Sequence, residues 1–333
     1  MIFNQTALKM KLIKRVVIAL IVLVLAFLAF YFWSSGSSSL QKILLIHRPI
    51  ETTSSNDSTI KIMTYNVGYL SGMTNNSAEW KDEALTVNNY KKLISLLDSI
   101  TPDLISFQEI DFHSKRSNWI DLHDSLATHY YPWSVKAINW DNNYVPFPYW
   151  PPSVHFGRIL SGQSIMSKWE LADPKREVLK KVESNPFYYN AFYLDRLLVS
   201  AKVEHPIRDF LLMNVHAEAF DTLTRNQQLA SIYQSFKTEG KAQPVIIAGD
   251  FNATPESKEP GLQLFLSDST IGCVAFHSDQ PNYFTFSSGN PEERIDFIFY
   301  TKKDFVEWDG HVATEFGEIS DHLPVIARLK FKN

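Results

Sequence analysis

Six apolar runs in this chain end in, or carry near their end, a side chain able to hold a cation or a phosphate. IMTYN ends at Asn66, LISFQE at Glu109 and LLMNVH at His216. VIIAGDFN ends at Asp250 and Asn252, RIDFIF carries Asp296, and EISDHLPV carries Asp321 and His322. One such ending would mean little, because a chain must leave its core somewhere. A series of them, with carboxylate, amide and imidazole chemistry, is a pattern. Carboxylate oxygens suit Mg2+, Mn2+ or Ca2+. Histidine and asparagine can donate to a phosphate, and an acid beside a histidine sets its tautomer and basicity. Together these are the groups for metal-assisted hydrolysis of a phosphate ester. Plainer readings stand beside this one: Asn66 as a turn cap, His216 as a satisfied core histidine. Glu109 and Asp250, following buried strands, would be awkward without a cation.

The elements that must position these groups are short strands alternating with amphipathic helices. IKIMTYN, DLISFQE, FLLMNVH, PVIIAGD, RIDFIFY and VIARLKF read as strands. Leu85, Leu93, Leu96, Leu97 and Ile100 share a helical face, as do Leu229, Ile232, Tyr233 and Phe236, with Gly240 as the expected stop. The mixture predicts a layered α/β body whose strand ends share one rim. Asp195 and Arg196 read as an ion pair before a strand, and Asp111 and His113 as a solvated loop.

Tyr130–Phe156 is different, with nine aromatics and five prolines but only Lys136 and Asp141 charged. Prolines at 146, 148, 151 and 152 argue for a long ordered loop. It either packs on its own body or presents an amphipathic surface, carried by Trp140, Tyr149 and Trp150, to lipid or substrate.

TYN, QE, NVH, GDFN, RIDFIF and SDH occur in an order that resembles the endonuclease/exonuclease/phosphatase superfamily, from about Ile60 onward. SGQSIMSKWEL at 161–171 is also similar to a strand segment of that family. The resemblance implies a four-layer α/β sandwich, two packed mixed β-sheets flanked by helices. It implies a metal set of Asn66, Glu109 and Asp321, with Glu109 the principal ligand. His216 would donate to a phosphoryl oxygen, Asp250 would position or deprotonate the attacking water, and Asn252 would hold that water or the phosphate. His322, oriented by Asp296, would be acid, base or transition-state stabiliser. Whether Asp250 or His322 takes the proton, and whether one metal or two are held, stays open.

Four basic residues and no acid lie in residues 1–33, and Val16–Trp33 carries no charge. Eighteen residues at helical rise span about 27 Å, close to the roughly 30 Å core of a bilayer. The expected organisation is a cytoplasmic basic segment at 1–15, a transmembrane signal-anchor helix at 16–33, a linker at 34–59 and a catalytic domain at 60–333. The positive-inside rule then puts the N-terminus in the cytoplasm and the catalytic domain outside it. A cleaved signal peptide is the competing reading, although the run is long for one and no A-x-A site follows. Within the linker, LQKILLIHRPI packs either on the domain or on the membrane surface, between polar SSGSSS and TTSSNDST.

The whole chain of 333 residues has 32 basic and 36 acidic side chains, a net charge of −4. Without its first segment the remainder carries −8, which speaks against a broad polyanion track. The single cysteine, Cys273, excludes an internal disulfide. The favoured function is a membrane-anchored, metal-dependent phosphoesterase acting on a phosphodiester, with a (sphingo)phospholipid head group as candidate substrate. An extracytoplasmic nuclease acting on DNA or RNA is the alternative. A non-catalytic binding protein on the same fold is the third reading. Oligomeric state is open.

Overall fold

A computed structural model describes residues 2–50, 58–75, 77–79, 82–276 and 283–332, with side chains from residue 9 onward. The chain opens with α1 (Ile2–Ser34) and β1 (Ile43–His47). A βαβ unit follows: β2 (Thr59–Asn66), α2 (Glu83–Ile100) and β3 (Leu104–Asp111). Next come α3 (Leu122–Tyr130), β4 (Trp133–Val145), β5 (Gly157–Ser167), β6 (Glu170–Val178), α4 (Phe187–Asn190) and β7 (Leu197–Glu204). A second βαβ unit is β8 (Phe210–His216), α5 (Thr222–Ala242) and β9 (Val245–Asp250). The chain closes with α6 (Pro260–Leu266), β10 (Ile271–Cys273), β11 (Asp296–Thr301), β12 (Phe305–Val312) and β13 (Val325–Phe331).

The strands form a seven-stranded sheet, β1-β4-β5-β3-β2-β13-β12, and a six-stranded sheet, β10-β11-β9-β8-β7-β6. Each sheet is antiparallel except for one parallel pair, β2/β3 in the first and β8/β9 in the second. A parallel pair needs a crossover, and α2 and α5 supply them. Period-two alternation then sorts side chains between layers. Ile246 and Ala248, with Val199 and Ile298 of the same sheet, face the other sheet and its Ile62 and Leu104. Val245 and Ile247 face outward onto Leu229, Ile232 and Phe236 of α5 and Phe265 of α6. On the opposite outer side, Met63, Tyr65 and Phe107 pack on Leu93 and Leu97 of α2 and Leu126 of α3. These three apolar interfaces make a four-layer α/β sandwich.

Helix ends follow ordinary capping chemistry. The Asp82 carboxylate accepts from Ala84 N at α2, and the Asp221 carboxylate accepts from Thr224 N at 2.7 Å at α5. The expected stop at Gly240 is overrun, because α5 continues to Ala242.

Two sequence expectations need correction. The stretch 130–156 is not one long loop. Residues 133–145 form β4, whose prolines lie only at or beyond its ends, and the loop begins at Pro146. The segment 34–59 is not all linker. Residues 43–47 add to β4 as the edge strand of the first sheet, which settles where that apolar patch packs. Its side chains contact the body through Ile43. The expected tether TTSSNDST falls mostly outside the described residues, as do 277–282.

α1 has one stretch, Lys9–Ser34, long and apolar enough to cross a membrane. Its last turn meets the domain. Phe30 and Trp33 lie beside Tyr144, Tyr31 packs edge-on against Phe192, and Asn143 Nδ2 donates to Trp33 O at 2.9 Å.

Candidate active site

The two parallel pairs carry their C-terminal ends to one rim, and the expected site residues sit there. In the second sheet three of them share a register row: His216 of β8 lies opposite Asp250 of β9, and Asp250 lies opposite Asp296 of β11. In the first sheet Asn66 of β2 lies opposite Gln108 of β3. Glu109 follows at φ +49°, where the β3–β5 register slips, so its carboxylate leaves the sheet plane toward the other sheet. Just behind, Gln108 Nε2 donates to Asn214 Oδ1 at 2.7 Å and ties the sheets together. Asp321 and His322 arrive from the loop before β13. Ser320 Oγ fixes that loop by donating to Asn66 O at 2.8 Å.

Two glycines are dictated by this crowding. A Cβ on Gly249, within GDFN, would stand 2.0 Å from Val215 O of the neighbouring strand. Gly68 holds φ +51°, and a Cβ there would meet Ser320 Oγ at 2.7 Å and Asp321 Oδ1 at 2.9 Å.

Asp250 is the most heavily supported group. Asn66 Nδ2 donates to its Oδ2 at 3.0 Å, Asn252 Nδ2 at 3.2 Å, and Asn252 N donates to Oδ1 at 2.8 Å. Burial raises its pKa to about 7, against the pull of the His322 charge and those hydrogen bonds. His322 Nδ1 lies 2.9 Å from Asp296 Oδ2, and its Nε2 lies 3.9 Å from Asp250 Oδ2. Burial alone would lower the His322 pKa. The Asp296 charge and hydrogen bond, with Asp250 and Asp321, carry it well above the ordinary value. Near neutral pH the ring is an imidazolium and Asp250 is poised between its two forms.

Glu109 is pushed upward by burial and by the Asp321 charge. A single amide stands between these two carboxylates: Asn75 Nδ2 is 3.0 Å from Glu109 Oε2 and 3.4 Å from each Asp321 oxygen. Two close acids, of which Asp321 raises the pKa of Glu109, that bracket one neutral donor fit a hard divalent cation. Asp250, Asp296 and His322 also have ligand atoms within 4.8 Å of one another, and Asp296 Oδ1 is buried without a hydrogen-bond partner among the described residues. The hydrogen bond between Asp296 and His322 already occupies that pair, so the Glu109–Asp321 side is the better fit. Asn66, expected in the metal set, has its amide on Asp250 and its oxygen on Gly68 N at 3.1 Å. Its evident work is to hold Asp250.

His216 is buried, and its pKa is lowered well below the usual value by burial, then by Arg196 and His322. It is a neutral imidazole. Its Nε2 accepts from the Arg196 guanidinium and lies 3.7 Å from Glu109 Oε1 and 3.6 Å from Asp250 Oδ2. With Nε2 accepting, the group that can donate from this side is Arg196.

Sequence reasoning missed Arg196, and the pairing it assumed is absent. Asp195 pairs with Arg176 and Lys181, while Arg196 turns into the site against His216, Tyr193 and Glu218. It sits one residue before β7, whose Leu197 is in register with His216. Asn75 was missed as well, in a turn with no strand to announce it. Asp111, read as a loop residue, is buried and bound to Arg116 at 3.0 Å.

Residues 63–322 match the family model described as Endonuclease/Exonuclease/phosphatase family. Two curated relatives, each a UPF0294 protein of Vibrio cholerae serotype O1, are 28% identical over 126 residues. That stretch is 38% of this chain and 42% of theirs, so less than half of those relatives' length is matched. An endonuclease/exonuclease/phosphatase from Beutenbergia cavernae superposes with TM-score 0.61 at 18% identity, covering 83% of this chain and 72% of that one. The catalytic domain of human Nocturnin with bound sulfate gives 0.55 at 16%, covering 87% and 98%. TDP2 of D. rerio, complexed with a single-strand DNA product, gives 0.58 at 17%, covering 82% and 100%. At these identities the likeness to the structures is one of fold.

Proposed function

The chain belongs to the Endonuclease/Exonuclease/phosphatase family, and from that premise we propose a membrane-anchored, divalent-metal-dependent phosphodiesterase acting on a phospholipid head group. Members of this family hydrolyse phosphoester bonds. The observation that carries the reading is the row His216–Asp250–Asp296 facing Glu109, Asp321 and His322 across one rim.

Glu109 and Asp321 would hold Mg2+, Mn2+ or Ca2+, with Asn75 setting their spacing. Bound there, the cation supplies positive charge to the phosphoryl oxygens. The remaining work belongs to the chain. Asp250, with a pKa raised by burial to about 7, accepts the proton of the attacking water. Asn66 and Asn252 aim its carboxylate. His322, kept protonated by Asp296, stabilises charge building on the phosphoryl group and can return a proton to the leaving oxygen. Arg196, seated on His216, donates to a non-bridging oxygen from the opposite side. In this reading Asp250 rather than His322 is the base, because His322 holds its proton where Asp250 can lose one.

The membrane part rests on α1 and on the acidic body. Lys9–Ser34 would cross the bilayer with the basic end in the cytoplasm and residues beyond 34 outside. The body's charge of −8 disfavours a nucleic-acid track.

A substrate panel on the full chain in detergent tests the proposal. It compares sphingomyelin, glycerophospholipids, inositol phosphates, DNA and RNA, each with Mg2+ and with a chelator. The full chain is required, since a start near residue 57 would remove the edge strand β1. Metal-dependent release of a head group is the expected result. Cleavage of nucleic acid alone would replace the lipid reading with the nuclease one, and no turnover at all would favour a binding protein.

A further inference from the structure

The expected lipid-facing surface is only partly where the sequence put it. Trp140 is buried in β4, against Phe156 at 6.1 Å, and faces no solvent. Tyr149 and Trp150 are 71% and 78% exposed. A second exposed aromatic pair stands with them, Phe187 at 78% and Tyr188 at 58% in α4. Solvated aromatics grouped this way mark a surface that meets something else.

Both pairs flank the point where α1 joins the domain. On one side, Phe30 and Trp33 of the last turn of α1 lie against Tyr144. Tyr144 OH bonds His155 Nδ1 at 2.7 Å, and Phe156 N donates to Phe147 O at 2.7 Å, closing the loop that displays Tyr149 and Trp150. On the other side, Tyr31 packs on Phe192, two residues beyond α4, at 5.6 Å. Asn142 Nδ2 joins the two sides by donating to Ser35 O at 3.1 Å and Ala191 O at 2.9 Å. The junction is therefore a fixed joint rather than a loose tether.

The same face leads to the chemistry. Tyr189 of α4 stacks on Tyr193 at 5.2 Å, Arg196 donates to Tyr193 OH at 3.1 Å, and Arg196 meets His216. A narrow crevice of about 10 Å³, room for about one water, lies along this path, lined in part by Lys181, Asn190, Tyr193, Arg196 and Glu218.

The geometry points to a bilayer as the occupant of this face. We propose that the catalytic domain lies with Tyr149, Trp150, Phe187 and Tyr188 in the interfacial layer of the membrane that α1 spans, so that the path from Tyr189 through Tyr193 to Arg196 begins at head-group level. This rests on the reading of α1 as a membrane span and brings the proposed substrate to the side of the domain that carries Arg196. The arithmetic of depth agrees. The 26 residues Lys9–Ser34 are about 39 Å long at helical rise, enough to cross a core of roughly 30 Å and bring the last turn to the far interface. Aromatic rings with a polar edge concentrate at that level.

The test uses the full chain with Cys273→Ser, reconstituted in phosphatidylcholine–phosphatidylglycerol vesicles. Tyr149→Cys, Tyr188→Cys and the control Trp308→Cys, an exposed position on β12, each carry a nitroxide. Spin-label accessibility to oxygen and to a water-soluble nickel chelate gives depth. Interfacial depth at positions 149 and 188, with position 308 in water, supports the proposal. Equal nickel accessibility at all three overturns it. Shielding of 149 and 188 from both reagents also overturns it, because it would mean that a second copy or another protein covers the face. A quadruple variant, Tyr149→Ser, Trp150→Ser, Phe187→Ser and Tyr188→Ser, adds a kinetic readout. Turnover of a vesicle-borne phosphodiester should fall by about tenfold or more, while a soluble chromogenic phosphodiester is cleaved within about twofold of the parent rate. Equal losses on both substrates would sink the docking role. Interfacial depth without cleavage of any vesicle lipid would leave the docking standing and remove the lipid substrate, so the two readings fail separately.

Discussion

Two buried arginines flank Glu109, and they are held differently. Arg116 is neutralised by a bidentate acid: its Nε and Nη2 donate to both oxygens of Asp111 at 3.1 and 3.0 Å, its plane lies 3.2 Å over the Tyr69 ring, and Nη1 is left without a hydrogen bond among the described residues. Ser114 Oγ takes up Asp111 further at 2.8 Å. Arg196 has no acid held so closely. Glu218 stands 3.5 Å from its Nε, which has no hydrogen bond among the described residues, and its other nitrogens meet Tyr193 OH and the neutral ring of His216. A buried cation with a bidentate acid is a strut. A buried cation with a distant acid and a neutral base keeps its field for something that arrives, such as a phosphate.

The contrast is broken most severely at the two aspartates. Asp250 is held by amides and carries a raised pKa, whereas Asp111 is the partner of Arg116. Asp250→Asn should lower turnover by about 10³- to 10⁴-fold and leave the melting temperature unchanged or higher, because it removes a charge that burial penalises. Asp111→Asn should do the reverse, costing about 3–5 kcal/mol of stability while folded molecules keep turning over. Steady-state kinetics and thermal denaturation on both variants decide it. A stable Asp111→Asn protein with no activity would mean that the strut reading is wrong.

Next in size are the arginines themselves. Arg196→Met should reduce turnover about 10²- to 10³-fold, with a smaller loss for Arg196→Lys and near-native melting in the lysine variant. Arg116→Met should unfold at much lower temperature. If the two variants behave alike, the difference in their partners carries no meaning.

This contrast also shows what the sequence can reveal. Strand ends were legible because buried strands have period two and stop abruptly. Asn66, Glu109, His216, Asp250, Asp296 and the Asp321–His322 pair could all be named, and the structure brings them to one rim. Arg196 stood next to Asp195 in sequence and invited a local pairing. The two side chains part just before β7, Asp195 going to Arg176 and Arg196 to His216. Asn75 reaches Glu109 across a turn, a contact with no periodic signature. β4 was hidden by averaging its proline-free stretch with the proline-rich loop that follows. β1 was hidden because a five-residue edge strand with partly exposed side chains does not alternate cleanly.

A smaller effect is expected at Asn75, which touches both proposed metal carboxylates. Asn75→Ala should raise the metal concentration for half-maximal activity by about tenfold, as is usual when a group orienting ligands is lost. Saturating metal should restore turnover. Metal titration of activity, with isothermal calorimetry for binding, separates this from Arg196→Met, which metal should not rescue. Rescue of both would place Arg196 with the metal carboxylates rather than with the phosphate.

The smallest expected change is in pH dependence, and it decides which group is the base. Burial raises Asp250 to about 7, so the protonated, inactive form dominates below that pH and turnover climbs as pH rises through it. A cation bound beside it favours the anion and moves this limb lower. His322 is raised, so its proton is lost only at higher pH, and turnover should fall there. The amide of Asn66 favours the Asp250 anion at 3.0 Å. Removing it in Asn66→Ala should therefore move the acid limb upward by about one unit, the worth of one hydrogen bond to a charge, and leave the alkaline limb in place. His322→Gln should erase the alkaline limb and keep the acid one. If the rising limb instead vanishes in His322→Gln, the imidazole is the base. Asp250 then orients the water without taking its proton.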